Sequence, residues 1–125
     1  MIVGLGTDIV EIARIRHLWQ RQGERFAQRL LTVVELQALQ ESPQPERFLA
    51  KRWAAKEALA KALGTGIAQG VTFQQMQVDH YDSGQPYWTC QGEVATLMRK
   101  RGVKHTHLTI SDEQHYAVAT VILES

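Results

Sequence analysis

The sequence has too little cysteine for a disulfide-stabilised protein. Cys90 is the one cysteine among 125 residues, so no internal disulfide can form and a thiolate zinc site is disfavoured. A chain of this length buries roughly two-thirds of the surface that its unfolded form exposes, so it can fold without such cross-links. The sequence therefore predicts one globular domain over residues 1–125.

Long apolar runs and an excess of charge of one sign are also missing. No run reaches the roughly 18 apolar residues of a membrane span, and the first ten residues lack the basic region of a signal peptide. Lys and Arg number 14 and Asp and Glu 13, so the net charge of +1 indicates neither a nucleic-acid nor a membrane partner. We therefore expect a cytoplasmic protein with neither partner.

Hydrophobic periodicity predicts an α+β fold. A β-branched run over residues 2–10 predicts a buried strand whose glycines let another element approach closely. The longest helix is predicted over residues 46–63 with a cap at Gly64, and its wide apolar face indicates packing against an antiparallel sheet. The last strand is apolar on both faces, which indicates a central position or a subunit interface. Further helices are predicted over residues 11–22, 24–31 and 93–101 and from a capping box at Thr32, and strands over residues 72–81, 86–90, 104–111 and 115–124.

Two segments carry candidate chemistry. Asp8 lies in a run otherwise too apolar for a carboxylate, so it needs a cationic partner, a helix to cap or a metal ion. Glu57 and Lys61 are four residues apart on the long helix, a spacing that predicts contact and is also typical of an ordinary surface ion pair. If Asp8 and Glu57 meet, their hard oxygen ligands would suit Mg²⁺ that also binds substrate phosphates.

Positive charge is clustered locally. Arg14, Arg21 and Arg25 recur at helical spacing, and such a stripe would attract an acidic partner. Further cations lie at 47–61 and 99–104, and a solvated helix face is the ordinary interpretation of each cluster. The sequence has no Walker loop and no serine-hydrolase elbow, although the amides of Gly64 and Gly66 could bind a phosphate.

A resemblance to a known family covers the chain from its first residue to its last. It rests on GLGTDIVE at residues 4–11, FLAKRWAAKEA at 48–58, KALGTG at 61–66, and HLT at 107–109 ahead of YAVA at 116–119. In order and spacing these motifs closely resemble the holo-[acyl-carrier-protein] synthases, the short bacterial 4′-phosphopantetheinyl transferases. The resemblance implies an α+β fold of that type and a homotrimer with active sites between subunits.

The same resemblance implies an activity. In that family the 4′-phosphopantetheine arm of coenzyme A is transferred to a serine of apo acyl carrier protein, which releases adenosine 3′,5′-bisphosphate and serves fatty acid biosynthesis. The family's Mg²⁺ ligands correspond to Asp8 and Glu57, and Lys61 and His107 are similar to residues that contact the coenzyme A phosphates. Glu57, through a metal-bound water, is the first candidate for the base that deprotonates the serine, and His107 is the second.

Other roles are less closely specified. Candidates for contacts to the rest of coenzyme A are Arg47, Lys51, Arg52, Gly64, Gly66 and the Gly84-Gln85-Pro86 turn. Arg14, Arg21 and Arg25 are where we expect the acidic carrier protein to dock. The family often has a second histidine where this chain has Asp112, so no role is assigned to that position.

Two other classes of function remain open to the same residues. A Mg²⁺-dependent hydrolase of small diphosphates would use Asp8, Glu57 and Lys61 without a protein acceptor. A basic nucleic-acid-binding module would use the arginines and need neither carboxylate.

Overall fold

The computed structural model describes residues 1–125 and has the predicted α+β architecture. Its elements are β1 (Ile2–Glu11), α1 (Ile12–Gln22), α2 (Glu24–Leu30), α3 (Val33–Gln40), α4 (Pro45–Leu63), a 3₁₀ turn (Phe73–Gln75), β2 (Met76–His80), β3 (Pro86–Cys90), α5 (Gly92–Lys100), β4 (His105–Asp112) and β5 (Tyr116–Glu124). One expectation needs correction: the strand predicted over residues 72–81 begins at Met76, because the preceding three residues form the 3₁₀ turn.

Local sequence signals place the helix boundaries. Thr32 accepts a hydrogen bond from the amide of Glu35, whose side chain accepts one from the Thr32 amide, so the predicted capping box begins α3. Gly64 ends α4 in the left-handed region at φ 79°. Gly23 separates α1 from α2 at φ 55°, and the two short helices therefore do not form one continuous helix.

The strands form two antiparallel sheets. β1, β5 and β4 make a three-stranded sheet in that order, and β2 and β3 form a separate hairpin. Of the two positions predicted for the last strand, central or at a subunit interface, the central one is confirmed, because β5 pairs with β1 on one side and with β4 on the other. In this register Asp8 lies opposite Ala119, which in turn lies opposite Ile110.

Helix α4 crosses the inner face of the three-stranded sheet at very short range. A Cβ added to Gly6 would lie 2.0 Å from the carbonyl oxygen of Ala58, and one added to Gly4 would lie 2.5 Å from that of Ala62. No side chain fits in these gaps, so the glycines permit the backbone of β1 to approach the helix. The close approach places Asp8 beside the turns of α4 that carry Glu57 and Lys61.

The outer face of the same sheet has no covering element. Ile2, Leu5 and Ile9 of β1 and Tyr116 of β5 are exposed there. An apolar sheet face open to solvent is typical of an interaction surface. No helix of the chain combines the length and the hydropathy needed to cross a membrane.

Candidate active site

Asp8 and Lys61 form the centre of the site. The Nζ of Lys61 lies 3.0 Å from Asp8 Oδ1 and also donates a hydrogen bond of 3.0 Å to the carbonyl oxygen of Thr7. The Asp8 side chain is 15% exposed and the Lys61 side chain 52% exposed, so the pair lies at the solvent boundary. The prediction that Lys61 pairs with Glu57 is wrong. Lys61 forms its ion pair with Asp8 on the neighbouring strand instead.

Glu57 is half-buried one helical turn before Lys61. Burial raises the pKa of Glu57, and the negative charge of Asp8 raises it further, whereas the charges of Lys61 and Arg14 oppose the shift. The two carboxylates therefore share a region in which one lysine does not fully compensate their charge.

The donor set fits a hard divalent cation. Asp8 and Glu57 provide carboxylate oxygens, which are the ligands that Mg²⁺ prefers, and a bound cation would offset both the burial of Glu57 and its repulsion by Asp8. No cluster of three or more histidine, cysteine, aspartate or glutamate side chains is present. Mg²⁺ held by two carboxylates would therefore take its other ligands from water and from a substrate phosphate.

The predicted arginine stripe is divided between two helices. Arg14 and Arg21 lie on α1, and the Arg14 guanidinium lies 5.5 Å from the ring centroid of Trp53, one turn before Glu57 on α4. Arg25 follows the break at Gly23 and lies on α2, so its direction is not determined by the periodicity of α1. All three arginines are exposed.

A second cationic region lies between α4 and the β2–β3 hairpin. A cleft of about 250 Å³ is lined by Phe48, Lys51, Arg52, His80, Gly84, Pro86 and Ile110. The structure thus brings Arg52 and Pro86 together in one cleft. His80 also lines this cleft, although no sequence motif singled it out. Burial, with the charges of Arg52 and Lys51, lowers the pKa of His80. A more apolar groove of about 340 Å³, which includes Trp19 and Leu39, contains none of the predicted residues.

The glycines after α4 do not offer free amides. The amide of Gly64 donates to the carbonyl oxygen of Lys61 at 3.0 Å, and that of Gly66 donates to the carbonyl oxygen of Ala60 at 3.2 Å. The expectation that these amides bind a phosphate is therefore corrected, because the end of the helix already uses both donors.

His107 is not part of the Asp8 cluster within one chain. It lies on β4 opposite Ile122, on the outer face of the sheet, whereas Asp8 faces α4. Its Nε2 lies 3.0 Å from Glu124 Oε1, and this hydrogen bond lowers the pKa of Glu124.

A buried charged cluster escaped the sequence analysis. A solvated face, the ordinary interpretation of the cations at 47–61, does not describe Lys56 and Arg52, because both are buried against Glu35 of α3. Burial lowers the pKa of Lys56 and of Arg52, and the charge of Glu35 opposes both shifts. The capping box singled out Glu35, but it indicated only a helix start.

Arg47 is engaged as well. Its Nη1 lies 2.8 Å from Asp112 Oδ2 and donates to the carbonyl oxygen of Glu113, so it holds the β4–β5 turn against α4. This ion pair gives Asp112 a structural partner at the position where the sequence departs from the family pattern.

Comparison with known proteins identifies the family. Residues 4–121 match the model of the 4′-phosphopantetheinyl transferase superfamily. The chain is 56% identical to a holo-[acyl-carrier-protein] synthase from Vibrio vulnificus over 124 aligned residues. The alignment covers 99% of this chain and 98% of that protein.

Solved structures agree. The fold is similar to that of holo-[acyl-carrier-protein] synthase from Neisseria meningitidis, with a TM-score of 0.94 and 39% identity over 100% of both chains. It is also similar to a holo-(acyl-carrier-protein) synthase from Bacillus anthracis in complex with CoA (3′,5′-ADP), with a TM-score of 0.83 and 37% identity over 100% of this chain and 98% of that one. The chain therefore belongs to the 4′-phosphopantetheinyl transferase superfamily, among its holo-[acyl-carrier-protein] synthases.

Proposed function

We propose that this enzyme transfers the 4′-phosphopantetheine arm of coenzyme A to a serine of apo acyl carrier protein, in a Mg²⁺-dependent reaction that serves fatty acid biosynthesis in the cytoplasm. The observation that carries the proposal is the convergence of Asp8, Glu57 and Lys61 where β1 meets α4. The serine Oγ forms a bond to the phosphorus that bears the pantetheine arm. The diphosphate P–O bond breaks, and adenosine 3′,5′-bisphosphate leaves.

Charge compensation is the main requirement of such a transfer, because the protein itself forms no covalent bond to the substrate in this reaction. Mg²⁺ held by Asp8 and Glu57 would act as a Lewis acid on the diphosphate. Lys61 is held in place by Asp8 and by the carbonyl oxygen of Thr7, yet about half of its side chain is exposed and can meet a phosphate.

The serine proton needs an acceptor near this cluster. Glu57, through a metal-bound water, is the better candidate of the two named above, since it lies on the same side of the sheet as Asp8 and close enough to sense its charge. His107 faces the other side within one chain, and its role therefore depends on how subunits assemble.

The cleft between α4 and the β2–β3 hairpin is where we place the rest of coenzyme A. Lys51 and Arg52 give it positive charge, and His80 and Pro86 complete its wall. A phosphorylated nucleotide would compensate that charge. The similar protein from Bacillus anthracis is described in complex with CoA (3′,5′-ADP), which supports a nucleotide site in this fold.

We also propose a homotrimer with active sites between subunits. The apolar outer face of the β1–β5–β4 sheet supports it, because an uncovered face with Leu5 and Ile9 is costly to leave in water. His107 lies on that face and would serve the site of a neighbouring subunit.

Mixed assemblies test this arrangement. Asp8→Asn homotrimers should be inactive and His107→Ala homotrimers weakly active. Subunits exchanged between them should regain activity, because some sites then hold both native residues. No regain after exchange that mass spectrometry verifies would contradict sharing of the site.

The acidic carrier protein is proposed to dock on α1. Arg14 is the first choice because it lies against Trp53 and within electrostatic range of Glu57. Arg21 of α1 and Arg25 of α2, both exposed, are the other candidates. Arg14→Glu should weaken carrier-protein binding and flatten its salt dependence while coenzyme A binding persists. Equal loss of both would refute the assignment.

Intact-mass spectrometry of apo acyl carrier protein tests the function itself. Incubation with the enzyme, coenzyme A and Mg²⁺ should add the mass of one phosphopantetheine arm, and EDTA, Asp8→Asn or Glu57→Ala should abolish the gain. Glu41→Gln, at an exposed carboxylate beyond α3, is the matched control and should retain activity. Cleavage of coenzyme A without any gain on the carrier protein would favour a diphosphate hydrolase instead.

A further inference from the structure

The buried cluster of Glu35, Arg52 and Lys56 lies behind the cleft rather than in it. Glu35 is 1% exposed, Lys56 0% and Arg52 5%. Arg52 and Lys56 are one turn apart on α4, and Glu35 faces both of them from the first turn of α3. Charges this deeply buried need specific partners.

Glu35 uses both of its carboxylate oxygens. Its Oε1 accepts hydrogen bonds from Lys56 Nζ at 2.6 Å and from the Thr32 amide at 3.0 Å. Its Oε2 accepts one from the Val78 amide at 3.0 Å and lies 3.3 Å from Arg52 Nε. One side chain thereby joins α3, α4 and β2.

Lys56 is fully occupied by structural partners. Its Nζ also donates to the carbonyl oxygens of Leu30 at 2.7 Å and Phe73 at 3.1 Å. All three ammonium protons thus have acceptors inside the protein, and Lys56 has none left for a ligand.

Arg52 differs from Lys56 because it also reaches the cleft. Its guanidinium carbon lies 4.4 Å from the Phe48 ring centroid, and its Nε is buried without a well-aligned hydrogen bond despite the nearby Glu35. Arg52 lines the cleft beside Lys51 and His80. The same guanidinium therefore connects the buried carboxylate to the proposed coenzyme A site.

We propose that Glu35 is a positioning residue for coenzyme A, because its ion pair with Arg52 holds that guanidinium at the wall of the cleft. The inference rests on the proposed function and adds a residue that contacts no substrate. A guanidinium recognises phosphate through directional hydrogen bonds, so a small rotation weakens the interaction while leaving the charge in place.

Two substitutions separate geometry from charge. Glu35→Asp keeps the charge but shortens the side chain, and Glu35→Gln keeps the length but removes the charge. If position governs affinity, both should raise the KM for coenzyme A about tenfold with little change in kcat. If only charge mattered, Glu35→Gln would lower the KM, because an anion would meet a less neutralised Arg52, and that result would overturn the proposal.

A matched control excludes a general loss of folding. Leu39→Ala removes a buried apolar side chain from the same helix, one turn beyond Glu35, and leaves all three charged groups of the cluster in place. It should lower the thermal midpoint yet leave the KM unchanged. An equal rise in KM for Leu39→Ala would show that Glu35 acts only through stability.

A double-mutant cycle tests the route through Arg52. In an Arg52→Met background, Glu35→Asp should add little to the KM, since the group that it positions is gone. If the two substitutions instead raise the KM for coenzyme A by independent factors that multiply in the double variant, the proposal is contradicted. Calorimetric titration of each variant with coenzyme A alone measures the same differences in affinity without a carrier protein. A failure of the transfer reaction would leave these affinity differences in place, whereas a failure of the positioning role would remove them.

Discussion

The two charged clusters of α4 are built from similar residues in opposite settings. Asp8, Glu57 and Lys61 have excess negative charge and lie at the solvent boundary, whereas Glu35 and Lys56 are sealed in the core with backbone groups as partners. Lys56 and Lys61 are only five residues apart, but they project to different sides of the helix. The comparison shows that accessibility, rather than residue type, separates a chemical role from a structural one.

The largest expected effect distinguishes the two lysines by stability. Lys56→Met should cost about 3–5 kcal/mol, because it leaves a buried carboxylate poorly compensated. Lys61→Met, at an exposed ion pair, should cost less than about 1 kcal/mol yet abolish most of the transfer activity. Urea denaturation and the mass assay measure both, and similar stability losses for the two variants would contradict the distinction.

A smaller effect is expected where β1 meets α4. Gly6→Ala places a methyl group 2.0 Å from the Ala58 carbonyl oxygen, so the strand must move away from the helix. We expect a loss of about 1–3 kcal/mol and weaker Mg²⁺ binding, since Asp8 moves with β1. Denaturation and metal titration provide the readouts. Ile9→Val, on the outward side of the same strand, is the control and should leave Mg²⁺ affinity intact.

A still smaller change, of opposite sign, is expected from Glu57→Gln. Because the folded state raises the pKa of Glu57, its ionised form is penalised on folding, and this penalty develops as pH rises through and above the ordinary value of 4.5. Without metal at pH 7 the variant should gain stability, by less than about 1 kcal/mol after allowance for solvent screening. Denaturation in EDTA at several pH values checks this. The gain should fade toward acidic pH, and a constant gain would point to another cause.

The smallest expected effect concerns the reactivity of Cys90, which reports on how tightly the core around Lys56 is packed. Burial raises the pKa of this thiol to about 12, and the charge of Lys56 opposes the shift. At pH 8 the native protein should react with iodoacetamide much more slowly than the urea-unfolded chain. Mass spectrometry follows the reaction, and Lys56→Met should accelerate it by loosening the core. Rapid labelling of the native wild type would argue against a sealed cluster.

Much of the fold followed from local pattern. The capping box at Thr32, the glycine cap of α4 and the hairpin turn before Pro86 are short-range signals, and each element forms near its predicted position. The 3₁₀ turn before β2 was missed because its residues have no distinguishing periodicity. The division of the strands into two sheets was not predicted either, since pairing depends on contacts between distant segments.

The site was predictable in part. A carboxylate in an apolar strand and a glutamate on a long helix could be singled out, but their proximity depends on how closely β1 packs on α4. The ion pair of Lys61 with Asp8 instead of Glu57 was not evident, because helical spacing considers neighbours on one helix only. His107 was grouped with the other candidates, although strand pairing puts it on the opposite face.

The sequence by itself determined the α-helices and strands, the caps of α3 and α4 and the family, because periodicity, capping residues and motif order are properties of the linear chain. Only the tertiary structure decided that Lys56 is buried while Lys61 is accessible, that Glu35 is the counter-charge of α4, and that the Gly64 amide is already used. The reason is physical: burial and charge compensation depend on which distant segments come together, and a residue's type does not specify its neighbours.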